Sequence, residues 1–145
     1  MPTNECIPYF EPGVNPTGKC ASTVRGCRIV SLASQPSGGF VGTENPNIQE
    51  CAGATQVPIA VAKYDGATGD QIPIMALRSG AIVPLTVGAS VTAGELVMSD
   101  SQGRITPFVG PVATNAAALP DLPVHVGVVL ETNAVVDTQA AVWLI

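Results

Sequence analysis

The sequence predicts an all-β fold, a small β-barrel or sandwich of about seven to eight short strands with an irregular N-terminal arm. Three observations carry this expectation. Residues 57–77 (VPIAVAKYDGATGDQIPIMAL) and 124–144 (VHVGVVLETNAVVDTQAAVWL) align without a gap at an offset of about 67 residues. Val57 meets Val124, Val61 meets Val128, Ala67 meets Ala134, Asp70 meets Asp137 and Leu77 meets Leu144. Each copy is a β-rich run, a polar turn and a second β-rich run, which is the pattern of a hairpin. From Gln56 onward, short apolar runs alternate with turn residues at β spacing. Finally, almost no stretch carries helical periodicity; Ala113–Leu119 is the one place where a helical turn is expected.

The composition divides the chain near Ala54. Residues 1–53 hold all four cysteines, with Pro2, Pro8, Pro12, Pro16, Gly13 and Gly18 scattered early among them. Prolines lack the backbone donor, so a continuous helix or a central strand is disfavoured there. This segment reads as an irregular arm or loop-rich subdomain. Its one convincing strand is CRIVSL at 27–32, with Phe40-Val41-Gly42 a weaker candidate.

Residues 54–145 read as the barrel-like domain. Val57–Lys63 and Gln71–Leu77 are strands around a long turn that includes Asp65-Gly66 and Gly69-Asp70. Arg78-Ser79-Gly80 turns the chain into Ala81–Val87. Leu96–Ser99 and Arg104–Phe108 flank Asp100-Ser101-Gln102-Gly103, where Gly103 is suited to the left-handed conformation that ends such a turn. Residues 110–123 are rich in Pro and Ala and read as a crossing loop. Val124–Leu130 and Gln139–Ile145 close the domain. The two similar hairpins are expected to be neighbours in space, as the opening and closing strands of one barrel. The terminal strand is expected to be paired and buried, with Trp143 packed near their junction.

In 145 residues, apolar side chains make up 46%, aromatics 4% and charged residues 12%. The core must therefore be built from small and branched side chains. The charge is well below the ~25% of ordinary soluble domains, leaving a neutral, partly apolar surface of the kind a partner covers. Six Lys and Arg stand against eleven Asp and Glu, a net charge of -5 without a basic stripe, which argues against nucleic-acid binding. The amino terminus lacks a basic run followed by an apolar one, and no stretch is long and apolar enough for a spanning helix. No secretory signal and no membrane partner are expected.

Catalytic chemistry has little to stand on. His125 is the only histidine, set in a strand-like VHV. No nucleophile elbow, phosphate-binding loop, dinucleotide fingerprint or zinc-protease motif occurs. No cofactor and no enzyme activity are expected. DGATGD at 65–70 offers carboxylates, but the second hairpin has Thr132 and Asp137 at the corresponding positions, so the motif reads as turn chemistry. Cys6, Cys20, Cys27 and Cys51 leave two readings open, buried free thiols or one or two disulfides. Their spacing is not that of a zinc knuckle.

The run from Ala60 to Phe108 resembles the small capsid decoration, or cement, proteins of tailed bacteriophages. The motif residues are Val91, Gly94, Glu95, Val97, Asp100, Gly103 and Arg104, followed by Gly127, Val128 and Leu130 in a closing strand. The likeness covers about residues 57–145 and implies a β-barrel-like virion protein, often trimeric, on the outside of an icosahedral head. Such a protein would bind the major capsid protein and stabilise the expanded shell by bridging its subunits, after synthesis in the host cytoplasm. The unmatched arm is then the expected contact with the shell, through Tyr9, Phe10, Val14 and Phe40. The alternative is a head-fibre or tail-associated domain that adheres to host surfaces.

Overall fold

The computed structural model describes residues 5–9, 15–34, 45–53, 56–108 and 125–145. Within them the chain makes ten strands and no helix. The first five are β1 (Thr17–Cys20), β2 (Ile29–Leu32), β3 (Asn47–Glu50), β4 (Pro58–Ala62) and β5 (Gln71–Ala76). They form a closed barrel in the order β1-β3-β2-β4-β5, with β5 returning antiparallel to β1. The β1–β3 pair is parallel; the others are antiparallel. The remaining five are β6 (Ile82–Thr86), β7 (Leu96–Ser99), β8 (Ile105–Pro107), β9 (His125–Val129) and β10 (Gln139–Leu144). They form a sheet in the order β6-β10-β9-β7-β8. This sheet curls until Val87, just past β6, makes a parallel bridge with Ile105 of β8.

The all-β expectation holds, and the strands expected after residue 56 are present within a residue or two of their anticipated ends. Three details differ. Two further strands, β1 and β3, lie where the sequence suggested an irregular segment, and both belong to the barrel. The two repeated hairpins are indeed hairpins, β4–β5 and β9–β10, but they sit in different sheets. The terminal strand pairs with β6 and β9 rather than with the first hairpin, so the two copies do not open and close one barrel. Trp143 is not buried at a junction; it is 47% exposed. The weak strand at 40–42 and the helical turn at 113–119 lie outside the described residues.

The barrel is narrow, and its interior shows why the composition favours small residues. Cys20, Val24, Val30, Ile48, Ala60, Ala62, Ile72 and Ile74 fill it. A Cβ on Gly18 would stand 2.7 Å from Ile48 Cδ1, so any larger residue there would displace the Ile48 side chain that fills the barrel. The second core lies inside the curled sheet, where Val83, Leu85, Val97, Ile105, Val126, Val129, Val142 and Leu144 converge. Ile29, Val61 and Met75, a cross-strand row on the outside of the barrel, complete it. Alternation along β2 thus sends Val30 into the barrel and Ile29 into the shared core, welding the two sheets.

The seam is also hydrogen-bonded. Ile29 N–H donates to Gly103 C=O at 2.8 Å, and Thr86 N–H donates to Cys27 C=O at 3.0 Å. Gly103 has φ +73, and a Cβ there would lie 2.6 Å from the Ile29 carbonyl oxygen. The left-handed turn expected at this glycine is therefore also a point where the backbones of the two sheets come close together.

Candidate functional site: the outer face of the curled sheet

In β10 the side chains of Ala140, Val142 and Leu144 point into the core, so Trp143 points out. The register extends this outward position across the sheet. Trp143 is opposite Ile82 on β6 and opposite Val128 on β9, and Val128 is opposite Leu96 on β7. Phe108 N–H donates to Leu96 C=O at 2.9 Å, continuing the β7–β8 pairing one residue further. The result is an apolar row, Ile82-Trp143-Val128-Leu96-Phe108, that crosses all five strands. Ala141 and Leu130 flank it on one side; Met98, His125, Thr106 and Ile145 flank it on the other. None of these is Asp, Glu, Lys or Arg.

The face is rigid. Trp143 Nε1 donates to Gly80 C=O at 3.2 Å, and the Phe108 ring meets His125 edge-on, with centroids 6.4 Å apart. His125 is thus a strand residue packed against an aromatic ring. At the β6 edge, Tyr9 N–H donates to Ile82 C=O at 2.7 Å, so the N-terminal segment runs beside the end of the row. Tyr9 is 69% exposed there. Phe10, Val14 and Phe40, expected with it as partner contacts, lie outside the described residues.

At one end of the sheet, the loop between β9 and β10 exposes Val135 and Val136. Its backbone is held by the Asn133 side chain, which accepts from Val135 N–H and donates to Thr138 Oγ1 and Gln139 C=O. Asp137, at φ +63, accepts from Arg104 Nη1 at 3.0 Å, and Arg104 Nε donates to Asp100 at 2.8 Å. Those hydrogen bonds, to Asp137 first and Asp100 second, push the Arg104 guanidinium up and keep it charged. Arg28 is buried nearby and donates to Gln102 C=O at 3.0 Å; burial pushes its guanidinium down. These charges join the seam of the two sheets. Asp70 accepts from Ala67 N–H within its own turn, whereas Asp65 accepts from Gly26 N–H, 39 positions earlier in the chain, and ties two loops together.

All four cysteines are buried. Cys20 lies inside the barrel, whereas Cys6, Cys27 and Cys51 lie in the shared core. Burial, reinforced by Asp70, pushes the Cys20 thiol up. Among the described residues no three His, Cys, Asp or Glu side chains come together as a metal-holding group.

The apolar row is what sequence reasoning missed. Period-two alternation in QAAVWL was enough to turn Trp143 outward. Its alignment with Leu96 and Phe108 depends on strand order, which no local pattern encodes.

Among solved structures, the chain is similar to the head fiber gp8.5 N base of bacteriophage phi29. The TM-score is 0.63 at 15% identity, covering 97% of this chain and 94% of that one, a likeness of fold. No curated protein matches the chain. A family model described as phage cement protein matches residues 29–144, from the start of β2 to the end of β10, and the chain belongs to that family.

Proposed function

We propose that this capsid-associated structural protein is mounted on the outer surface of an icosahedral phage head as a homotrimer. There it stabilises the expanded shell by bridging neighbouring major capsid subunits. Family membership supports the association with the capsid. The observation that carries the oligomer is the uncharged row Ile82-Trp143-Val128-Leu96-Phe108. Interfaces between permanently associated copies are more apolar than the rest of a protein surface and are depleted of charge at their centre. This face has both properties, and it lies on a hydrogen-bonded five-stranded sheet.

Shell contact is assigned to the N-terminal segment, through Tyr9 together with Phe10, Val14 and Phe40. Tyr9 stands exposed at the edge of the row, where it can reach beyond the oligomer. Several weak contacts from one oligomer add through multivalency, and their mechanical effect is to oppose the pressure of packaged DNA. The net charge of -5 suits a protein that works beside DNA without binding it. No catalytic step, cofactor or nucleic acid enters this account, and the protein is made in the host cytoplasm before it joins the virion.

A second reading, a head-fibre or tail-associated domain that adheres to host surfaces, is favoured by one observation. The fold is shared with the base of a phage head fiber over nearly the whole chain. The test mixes the purified full chain with expanded and unexpanded shells that lack it, and with host cells. Saturable binding to expanded shells and a gain in their heat resistance are expected. Binding to cells without binding to shells would overturn the shell-stabilising role in favour of adhesion.

A further inference from the structure

Two of the four thiols face each other across the junction of the N-terminal segment with the two sheets. Cys6 and Cys27 are both fully buried in the shared core, although 21 positions separate them in the chain. The two side chains are in hydrogen-bonding contact. Cys6 Sγ also lies 3.3 Å from Pro84 C=O, and Gln139 Nε2 donates to Cys27 Sγ at 3.2 Å. Pro84 and Gln139 lie on the adjacent strands β6 and β10, so one small region of the curled sheet receives both thiols.

The backbone around Cys27 is unusual. Its φ is +61, a left-handed conformation that a non-glycine residue adopts at a cost. That conformation is locked from both sheets, since Cys27 N–H donates to Ala62 C=O and Cys27 C=O accepts from Thr86 N–H. The other two cysteines are engaged elsewhere: Cys20 is inside the barrel, and Cys51 Sγ lies near the Gly53 and Gln56 carbonyls.

We propose that Cys6 and Cys27 form a disulfide that fastens the N-terminal segment to the body once the protein leaves the reducing cytoplasm. The oxidant is a small-molecule disulfide such as glutathione disulfide. The Cys27 thiolate attacks one sulfur, forming a mixed disulfide and releasing one glutathione thiolate. The Cys6 thiolate then attacks Cys27 Sγ and releases the second glutathione. The protein dithiol loses two electrons, the glutathione disulfide gains them, and the two protein protons go to the released thiolates. Access requires residues 5–9 to lift, and that segment is held by backbone bonds from Cys6 to Lys63 and from Tyr9 to Ile82. The cross-link would therefore hold Tyr9, the proposed shell contact, in its docked position. The pairing itself rests on side-chain positions alone and not on the shell-binding role.

The experiment treats the native full chain with glutathione disulfide, quenches with acid, counts thiols and maps peptides without reduction. Two of the four thiols should disappear. The chain should be lighter by two hydrogen atoms, with one peptide joining Cys6 to Cys27. The Tm should rise by about 5–10 °C, as expected for closing a loop of this length, and fall back with dithiothreitol. In Cys6→Ser, Cys27 should stop at the glutathione mixed disulfide. Four persistent thiols, a different pair, or a stable glutathione adduct in the wild-type chain would overturn the proposal. The wild-type map decides even if the variant fails to fold.

Discussion

Replacing Gly103 with Ala should destabilise the protein far more than an equivalent change in a free turn. Gly103 has φ +73, which costs an Ala about 1–2 kcal/mol in backbone strain. The added Cβ would also meet the Ile29 carbonyl oxygen at 2.6 Å and the Ile29 nitrogen at 3.3 Å. Both are backbone atoms, so relief requires β2 and the β7–β8 turn to separate. That separation breaks the 2.8 Å bond from Ile29 N–H to Gly103 C=O and loosens the packing of Ile29 in the shared core. Leaving the buried donor unpaired costs about 1–3 kcal/mol, and overpacking a comparable amount, so with the strain the sum is about 3–8 kcal/mol. For a chain of 145 residues, this lowers the Tm by about 10–25 °C. Gly69→Ala is the control, because Gly69 has φ +91 but nothing within 4 Å of the added Cβ. It should carry the strain alone and lower the Tm by about 3–6 °C. Calorimetry of the two variants decides the matter. If Gly103→Ala costs no more than Gly69→Ala, the approach of the two sheets at this turn is not what joins them.

Three further outcomes follow from the same structure. Trp143→Ala should weaken self-association about 50–100-fold in sedimentation equilibrium: 47% of the residue is exposed, about 100 Å2 that yields about 2.5 kcal/mol if an interface covers it. Tyr9→Ala should reduce binding to expanded shells while leaving the oligomer and the Tm unchanged, as measured by shell occupancy and calorimetry. The Cys20 thiol is pushed up by burial and by Asp70, so the native state keeps this proton after the unfolded chain has lost it. Its contribution is therefore complete below about pH 8.5 and is lost as the pH rises toward the native pKa. In reductant, the alkaline fall in Tm should be shallower in Cys20→Ala than in the wild type, and parallel curves would refute this assignment.

Strands β4 to β10 were legible because their residues alternate and their boundaries are turn residues. Val57–Lys63, Gln71–Leu77 and Leu96–Ser99 are examples, and each appears almost where local chemistry placed it. β1 and β3 were not legible, for a reason visible in the barrel. TGKC and NIQE supply only Gly18, Cys20 and Ile48 as buried residues, because so narrow an interior has no room for more. With so few apolar positions, neither segment shows a period.

The hairpin repeat was legible, but sequence similarity says nothing about which sheet a hairpin joins. Trp143 illustrates the remaining gap. A large aromatic near the chain end suggested burial, whereas the inward turn of Val142 and Leu144 leaves Trp143 outside. The structure thus changes the meaning of that residue from core filler to candidate interface anchor. Cys6, one of four thiols for which burial was one of two open readings, lies in the shared core although its segment read as an irregular arm.

Trp143 is the only tryptophan, so its emission reports on the apolar row without labelling. The most direct measurement follows that emission and its quenching by acrylamide from dilute monomer to assembled protein. The account predicts a blue shift and loss of quenching that track the oligomer, as the half-exposed indole becomes covered. Emission and quenching that stay unchanged while the oligomer forms would contradict it, because the copies would then be meeting through some other face.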